Sequence, residues 1–80
     1  MRYVYLLRSK QEPSRTYVGV THDLKHRLQA HNRGETAYAA RYKPWEIAVA
    51  VAFADDARAH AFERYLKSGS GRAFAKRHFL

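Results

Sequence analysis

Two short segments near the amino terminus have the composition and the alternation of β-strands. The segments YVYLL (residues 3–7) and TYVGV (residues 16–20) are rich in β-branched and aromatic residues. A polar stretch that contains Pro13 lies between them, so a β-hairpin is predicted. Successive side chains point to opposite faces of a strand, so Val4 and Leu6 share one face, with Val18 and Val20 across from them, and aromatic side chains share the other. The residues expected on the second face are Tyr3, Tyr5, Tyr17 and Gly19.

The rest of the chain combines helical spacing with one apolar strand. The strand WEIAVAVAF alternates bulky residues with alanines, so one face is expected to pack and the other to be approached closely by an unspecified neighbour. Asp55 and Asp56 precede a long helix, because carboxylates satisfy free amides at a helix start. The SGSG segment (residues 68–71) is predicted to break that helix as a flexible joint. The other predicted elements are a helix capped by Thr21 or Asp23 and ended by residues 32–34, a short helix or turn at 35–42, the strand at 45–53, and an amphipathic turn or two at 72–79.

Each of the two longer helices carries polar side chains beside its apolar side. At about 100° per residue, Arg27 and His31 fall beside the leucines of the first helix, away from its solvent face. Glu63 borders the apolar stripe of the second helix in the same way. An unpaired charge costs far more to bury than a methyl group, so such residues normally have a partner or a function. If both helices pack near the aromatic face of the hairpin, the groups that meet are Tyr5, Tyr17, Arg27, His31 and Glu63.

A guanidinium, a carboxylate, phenols and an imidazole together are suited to handling a phosphate. Arginine presents a planar fork to phosphate oxygens, and a single glutamate can anchor Mg²⁺, which completes its coordination with water and substrate phosphate. A phenol or an imidazole can accept a proton from an attacking water. Simpler alternatives remain open. Arg27 could pair with Asp23 at the i, i+4 spacing, and Glu63 could pair with another residue of its own helix, either Arg58 or Lys67.

The composition narrows the class of protein and of partner. The 80 residues make one small domain, and 15 Lys and Arg against 7 Asp and Glu leave a net charge of +8. This excess of positive charge favours nucleic acid as the first candidate partner and an anionic membrane surface as the second. The alternative is a soluble basic protein without a polyanionic partner. No apolar run approaches the roughly 20 residues of a membrane span, and no long basic amphipathic helix is present to bind a membrane surface, so no membrane association is predicted. The absence of cysteine excludes disulfides and the common structural zinc sites and fits a reducing cytoplasm, the predicted location.

Cations interleaved with aromatic side chains predict a surface for nucleic acid. Such interleaving is typical of surfaces that bind single strands. The last 17 residues contain five Lys and Arg and no acid, and further cations flank Tyr42 and Trp45. The alternative is that the cations form a solvated basic surface while the aromatic side chains lie in the core. Trp45 is expected to lie in the core. The predicted nucleic-acid-binding residues are Arg41, Lys43, Lys67, Arg72, Lys76 and Arg77.

The order of these motifs resembles the GIY-YIG endonuclease domain, and especially its small stand-alone bacterial branch. The resemblance extends over roughly residues 3–67, which is most of the chain. Each motif alone is weak, but their order and spacing within 80 residues make the resemblance specific. The matching segments are YVY (3–5), YVG (17–19), Arg27 followed by His31-Asn32, and AFERYLK (61–67).

The resemblance implies an α/β fold, an α+β sandwich in which helices flank a three-stranded antiparallel sheet. The implied order of elements is β-β-α-α-β-α, followed here by a short C-terminal helix. A single domain over residues 1–80 is predicted, with its core at about residues 2–67 and a basic C-terminal extension at residues 68–80.

The resemblance also implies metal-dependent hydrolysis of DNA phosphodiester bonds, with Mg²⁺ or Mn²⁺ as the cofactor and DNA repair or recombination as the setting. Glu63 would hold the ion, and Arg27 would stabilise the charge that develops on the phosphate. Tyr17 or Tyr5 would position or deprotonate the water, and His31 would relay the proton or act as an alternative base. A free phenol has a pKa of about 10, so the neighbouring cation and metal would have to lower that value.

The sequence departs from the family's pattern at three points. Tyr3 stands where the first signature has glycine, Ala39 stands where threonine is expected, and no asparagine follows the acidic helix. A domain of this size has little surface for reading a long sequence, so selectivity for single-stranded or branched DNA is predicted. The alternative is a catalytically inactive module that binds nucleic acid with the same basic face. His22 and His26 have a metal-binding spacing but no third ligand nearby, so no second metal site is predicted.

Overall fold

A three-stranded antiparallel sheet with the strand order β2-β1-β3 forms the centre of the molecule. The computed structural model describes residues 1–80, and its elements follow the order β-β-α-α-β-α-α. The strands are β1 (Arg2–Ser9), β2 (Thr16–Thr21) and β3 (Trp45–Phe53). The helices are α1 (Leu24–Asn32), α2 (Ala37–Tyr42), α3 (Asp56–Lys67) and α4 (Gly69–His78). The predicted α/β fold, in which helices flank a three-stranded antiparallel sheet and a helix ends the chain, is confirmed.

The two faces of the sheet support separate hydrophobic clusters. On one face, Val4 and Leu6 of β1 pack against buried side chains of α3 and α4. On the other face, Tyr5 and Leu7 pack with Trp45 of β3, and the leucines of α1 lie against them. Trp45 is 2% exposed, which confirms its predicted place in the core. The alternation predicted for the hairpin is also confirmed, and the face that carries Tyr5 is turned toward α1.

The start and end of α1 follow from two local interactions. Asp23 caps the start, because its side chain accepts a hydrogen bond from the backbone N–H of His26 at 3.0 Å. Thr21 accepts a hydrogen bond from the backbone N–H of Asp23 at 3.1 Å and so supports the cap without forming it. Gly34 has a φ of 74°, a left-handed conformation that suits glycine and stops the helix.

The alanine face of β3 is open to solvent beyond its first residues. Ala50 and Ala52 are exposed, and β3 pairs only with β1, so its outer edge is free. The leucines of α1 pack against the cluster that contains Trp45, at the beginning of the strand. Ala48 packs against the cluster that contains Val4 and Leu6, whereas Ala50 and Ala52 are left open to a close approach.

Helices α3 and α4 meet at a tight corner. Ser68 alone separates them, and it caps the end of α3 and the start of α4. Its hydroxyl donates to the carbonyl oxygen of Tyr65 at 2.6 Å and accepts from the backbone N–H of Gly71 at 3.1 Å. Gly71 is buried, and a Cβ atom there would overlap the carbonyl of Tyr65. The flexible joint predicted for residues 68–71 is therefore wrong, because the two helices touch where the glycine lies.

Helix α4 lies against the body of the domain. Ala75 is buried in the cluster that contains Val4 and Leu6, and Phe74 and Phe79 pack against the same cluster. Residues 68–80 thus contribute apolar side chains to the core in addition to their cations. None of the helices combines the length and the apolar character that crossing a membrane requires.

Candidate active site

Three aromatic rings from the hairpin and α1 form the centre of the candidate site. The ring centroid of Tyr17 lies 4.3 Å from that of His31 and 6.2 Å from that of Tyr5. The rings of Tyr5 and His31 are 6.4 Å apart. Tyr5 is 2% exposed, whereas Tyr17 is 37% exposed. Tyr17 is therefore the ring that an incoming ligand reaches first, and Tyr5 lies deeper.

Gly19 makes room for Tyr5. The two residues lie opposite each other in the pairing of β1 with β2. A Cβ atom at Gly19 would overlap the hydroxyl end of the Tyr5 ring, so this ring lies across the backbone of β2. The space above Gly19 is thus filled by a tyrosine of the site itself.

Arg27 carries an unsatisfied hydrogen-bond donor into the site. Its side chain is half-buried, and its Nε atom is buried without a hydrogen-bond partner. None of the five ion pairs in the structure includes Arg27, so the alternative pair with Asp23 is not formed. Buried donors in native proteins are nearly always satisfied, and an exception calls for a ligand or another cause. The free guanidinium fits an anionic acceptor such as a phosphate oxygen.

His31 is held as a neutral imidazole. The ring is 7% exposed, and its Nδ1 lies 3.3 Å from the carbonyl oxygen of Arg27. Burial lowers the pKa of His31 below its ordinary 6.5, and the nearby Arg27 cation lowers it further, while the hydrogen bond to the Arg27 carbonyl opposes this. That hydrogen bond requires the proton on Nδ1, so Nε2 keeps its lone pair and can accept a proton.

The hydroxyl of Tyr5 stays protonated. Burial raises the pKa of Tyr5 to about 12, and the neighbouring Tyr17 and Glu63 raise it too, whereas the Arg27 cation lowers it. The Arg27 cation lowers the pKa of Tyr5, as expected of a neighbouring cation, but burial outweighs that attraction. At neutral pH this hydroxyl is a hydrogen-bond donor and not a base.

Glu63 lies on α3, which contacts both tyrosine-bearing strands, β1 and β2. Its charge acts on Tyr5, which places the carboxylate in the same region. The side chain is 18% exposed, and Oε2 accepts a hydrogen bond from Lys67 Nζ at 2.7 Å. Of the two alternative partners on this helix, Lys67 therefore pairs with Glu63, and no ion pair with Arg58 is formed.

The donor set allows a divalent cation only in company with a substrate. No group of three or more His, Cys, Asp and Glu side chains lies close enough to hold a metal ion. Glu63 is the one carboxylate whose charge acts on Tyr5. Mg²⁺ often uses one or two carboxylates and completes its shell with water and substrate phosphates, so this site fits such an ion in a ternary complex. His22 and His26 lie exposed at the start of α1 and belong to no such group.

Three of the six predicted nucleic-acid-binding cations lie near Tyr17. Lys67, Arg72 and Lys76 line a groove of about 860 Å³, and Tyr17 lines the same groove. The groove and the ring cluster therefore share one side chain.

The other three cations lie apart from this groove. Arg77 lies on α4 beside Phe74, in a separate small depression. The Arg41 guanidinium stacks over the ring of Tyr42 at 5.4 Å from its centroid. Lys43 is exposed at the end of α2.

Two residues that support the site have no role predicted from the sequence. Asn32 accepts a hydrogen bond from Trp45 N at 2.6 Å and donates one to Trp45 O at 3.2 Å, which ties the end of α1 to β3. Tyr38 donates from its hydroxyl to Thr16 O at 2.9 Å and so holds α2 against the strand of Tyr17. The one signal for Asn32 is its place directly after His31, and Tyr38 gives no sequence signal because its partner is a backbone carbonyl.

Comparison with known families agrees with this arrangement. The GIY-YIG catalytic domain matches residues 1–77 of the 80-residue chain, a range that includes both tyrosine strands, α1 and the acidic helix α3. No curated protein matches the chain significantly. The chain therefore belongs to the GIY-YIG family of nuclease catalytic domains, which act on nucleic acid.

Proposed function

We propose that the chain is a metal-dependent endonuclease that hydrolyses DNA phosphodiester bonds. The observation that carries this proposal is the buried Nε of Arg27, which has no hydrogen-bond partner and whose cation acts on both Tyr5 and His31. A free cationic donor beside groups that hold and accept protons suits a ligand that is anionic and hydrolysable. A phosphodiester has both properties.

Arg27 binds a non-bridging oxygen of the scissile phosphate in this reaction. Negative charge grows on the phosphate oxygens as water attacks, so a fixed cation stabilises the transition state more than the ground state. The protonated hydroxyl of Tyr5 is a second donor in the same region. Burial of both groups strengthens these interactions because little water competes for them.

His31 is the base that its environment supports. Its ring is neutral at pH 7, and Nε2 is free because Nδ1 carries the proton. The water oxygen forms a bond to phosphorus while one water proton passes to Nε2, either directly or through the hydroxyl of Tyr17. The bond from phosphorus to the leaving sugar oxygen breaks, and that oxygen takes a proton from solvent.

Glu63 would hold the Mg²⁺ or Mn²⁺ ion of this reaction. Such an ion supplies positive charge that stabilises the leaving oxygen. The carboxylate is now paired with Lys67, which must move away before Glu63 can serve as a ligand. A pair with an exposed partner contributes about 0–1 kcal/mol to stability, so this exchange costs little.

We also propose that the preferred substrate is single-stranded or branched DNA. Tyr17 and Tyr38 expose their rings near the site, and such rings stack on unpaired bases of any sequence. A chain of 80 residues offers little surface for reading a long duplex sequence. We further propose that the protein is located in the cytoplasm and acts in DNA repair or recombination.

The second candidate is a catalytically inactive module that binds nucleic acid on the same fold. The observation that favours it is the ion pair of Glu63 with Lys67, which occupies the one carboxylate near the tyrosines. In that case the cations bind the DNA backbone and no bond is cut.

Cleavage of end-labelled single-stranded, duplex and forked DNA of one sequence separates the two functions. Each DNA is incubated with the protein in Mg²⁺, in Mn²⁺ and in EDTA. We expect cleavage with either ion, none in EDTA, and a preference for the single-stranded and forked forms. Glu63→Ala, purified in parallel, should abolish cleavage and leave DNA affinity largely intact. Tight binding by the unaltered chain without cleavage in any divalent ion would establish the binding module instead.

A further inference from the structure

The groove beside Tyr17 has apolar walls and a cationic rim. It lies between the sheet and the two C-terminal helices and has a volume of about 860 Å³, within the range of roughly 300–1,000 Å³ that is usual for small-molecule sites. Val18 of the sheet and Leu66 of α3 contribute to its walls. Lys67, Arg72 and Lys76 also line it, and none of its lining residues is Asp or Glu.

This combination selects a flat apolar group joined to an anion. The walls exclude water from a ring placed between them, whereas the cations attract a negative charge at the rim. A nucleobase linked to its phosphate has this chemistry. A paired base in duplex DNA is stacked on both faces and cannot enter, so the groove suits a base that is unpaired or turned out of the helix.

Two residues connect the groove to the candidate active site. Tyr17 lines the groove, and its ring lies 4.3 Å from that of His31. Lys67 lines the groove and donates to Glu63 Oε2 at 2.7 Å. Tyr17 and Lys67 therefore lie between the groove and the candidate active site, so a strand with one nucleotide in the groove continues past them toward the groups proposed to cut it.

We propose that the groove binds one unpaired nucleotide of the DNA strand that is cleaved. The base lies against the apolar lining that includes Val18 and Leu66, and its phosphate faces Arg72 and Lys76. This inference rests on the proposed nuclease function and gives that function a physical basis for selecting single-stranded or branched DNA, since fully paired DNA offers no base to the groove.

Nuclear magnetic resonance of the ¹⁵N-labelled chain tests the location directly. Thymidine 5′-monophosphate and the tetranucleotide (dT)₄ serve as probes, without divalent metal so that no cleavage occurs. We expect the amide signals of Val18, Lys67 and Lys76 to shift with both probes, and more strongly with (dT)₄. Shifts confined to the surface of Tyr38 and Arg41 would overturn the proposal. So would shifts of the groove amides that follow protein concentration without nucleotide, because they would show that a second copy fills the groove.

A matched pair of charge reversals tests the energetic contribution. Arg72→Glu reverses a charge at the groove, and Arg58→Glu reverses one on α3 that does not line the groove. Both arginines are exposed, and neither forms an ion pair, so both variants should fold. We expect Arg72→Glu to weaken binding of single-stranded DNA on the order of tenfold more than Arg58→Glu does.

The results separate this inference from the nuclease function. Equal losses of affinity in Arg72→Glu and Arg58→Glu would overturn the nucleotide site, even if the chain cleaves DNA. Absence of cleavage together with probe shifts in the groove would reject the nuclease and keep the nucleotide site. Equal affinity for blunt duplex and for single-stranded DNA would also overturn the site, because a paired base cannot occupy it.

Discussion

At the scale of single residues, Arg27 is the side chain whose state most needs a physical explanation. A buried donor without a partner costs about 1–3 kcal/mol, and no carboxylate of the chain pairs with this guanidinium. The fold tolerates this cost while the donor stays available to a ligand. Its neighbour His31 is buried and neutral, and Tyr5 is buried and protonated. The site therefore contains one group that can accept a proton, His31, and one that donates a hydrogen bond, Tyr5.

Arg27→Ala should lower the rate of DNA cleavage by ~10²-fold or more, because it removes the charge that stabilises the phosphate in the transition state. Its loss should leave the fold intact, since the guanidinium makes no ion pair. Single-turnover cleavage and circular dichroism measure the two effects. Arg33→Ala, at the exposed end of α1, is the control and should keep nearly full activity. A similar loss of rate in both variants would contradict a specific role for Arg27.

His31 should make the stability of the protein depend on pH on the acid side of neutrality. Burial lowers the pKa of His31 from 6.5, so the unfolded chain takes up this proton more readily than the folded chain. The free energy of unfolding should therefore fall as the pH drops below about 6.5, until the pKa of the folded state is passed. Cleavage should fall at lower pH, where the lowered pKa of His31 in the folded chain is reached, because a protonated imidazole accepts no proton. Urea denaturation and rate measurements between about pH 5 and 7.5 test both effects.

The variant His31→Gln should lose this part of the pH dependence. His26→Gln, which changes an exposed residue of the same helix, should keep it. A pH dependence of stability that is the same in His31→Gln as in the unaltered chain would assign the effect to other groups.

At the scale of elements, the sequence predicts the features that depend on the local spacing of residues. It misses the features that depend on how closely two elements approach each other. The strands and helices follow from alternation, helical period and caps such as Asp23. The corner between α3 and α4 could not be predicted, since glycine has the same sequence signature in a flexible joint and in a tight crossing. The exposure of Ala50 and Ala52 was equally hidden, because it depends on how far α1 reaches over β3.

Gly71→Ala should destabilise the protein strongly, because a Cβ there overlaps the carbonyl of Tyr65 and forces the two helices apart. Overpacking of this kind typically costs about 1–3 kcal/mol. Gly69→Ala is the matched control, since nothing lies within 4 Å of a Cβ at that position. Alanine should raise stability there by up to about 1 kcal/mol through its higher helix propensity. Thermal unfolding of both variants checks the contrast, and equal melting temperatures would contradict the tight corner.

At the scale of the whole molecule, the charge of +8 acts on DNA over a longer range than any single contact. Only part of the cationic surface is concentrated at the site, because Lys67, Arg72 and Lys76 share the groove while the other predicted cations lie elsewhere. The sequence could predict that a guanidinium, an imidazole and tyrosines converge. It could not predict that Lys67 pairs with Glu63, because Arg58 on the same helix was an equally possible partner.

The affinity for single-stranded DNA should fall as salt increases. With about three or four phosphates neutralised by the groove cations and Arg27, the slope of log K against log salt should be about −2 to −3. Fluorescence anisotropy with a labelled oligonucleotide at about 50–200 mM KCl measures this slope. Arg72→Glu should flatten it, whereas Arg58→Glu should change it less. A slope near zero would mean that the backbone phosphates contribute little to binding.

The uncovered outer side of β3 has a practical consequence for the isolated protein. This nine-residue strand carries only one charged side chain, Glu46. Beyond Trp45, whose N–H and carbonyl bond to the Asn32 side chain, its peptide groups on that side face no partner strand. Mutual repulsion between molecules of charge +8 opposes strand-to-strand association in dilute buffer. The salt used to strip bound DNA during purification weakens that repulsion at the same time, so the step that cleans the protein also favours its precipitation.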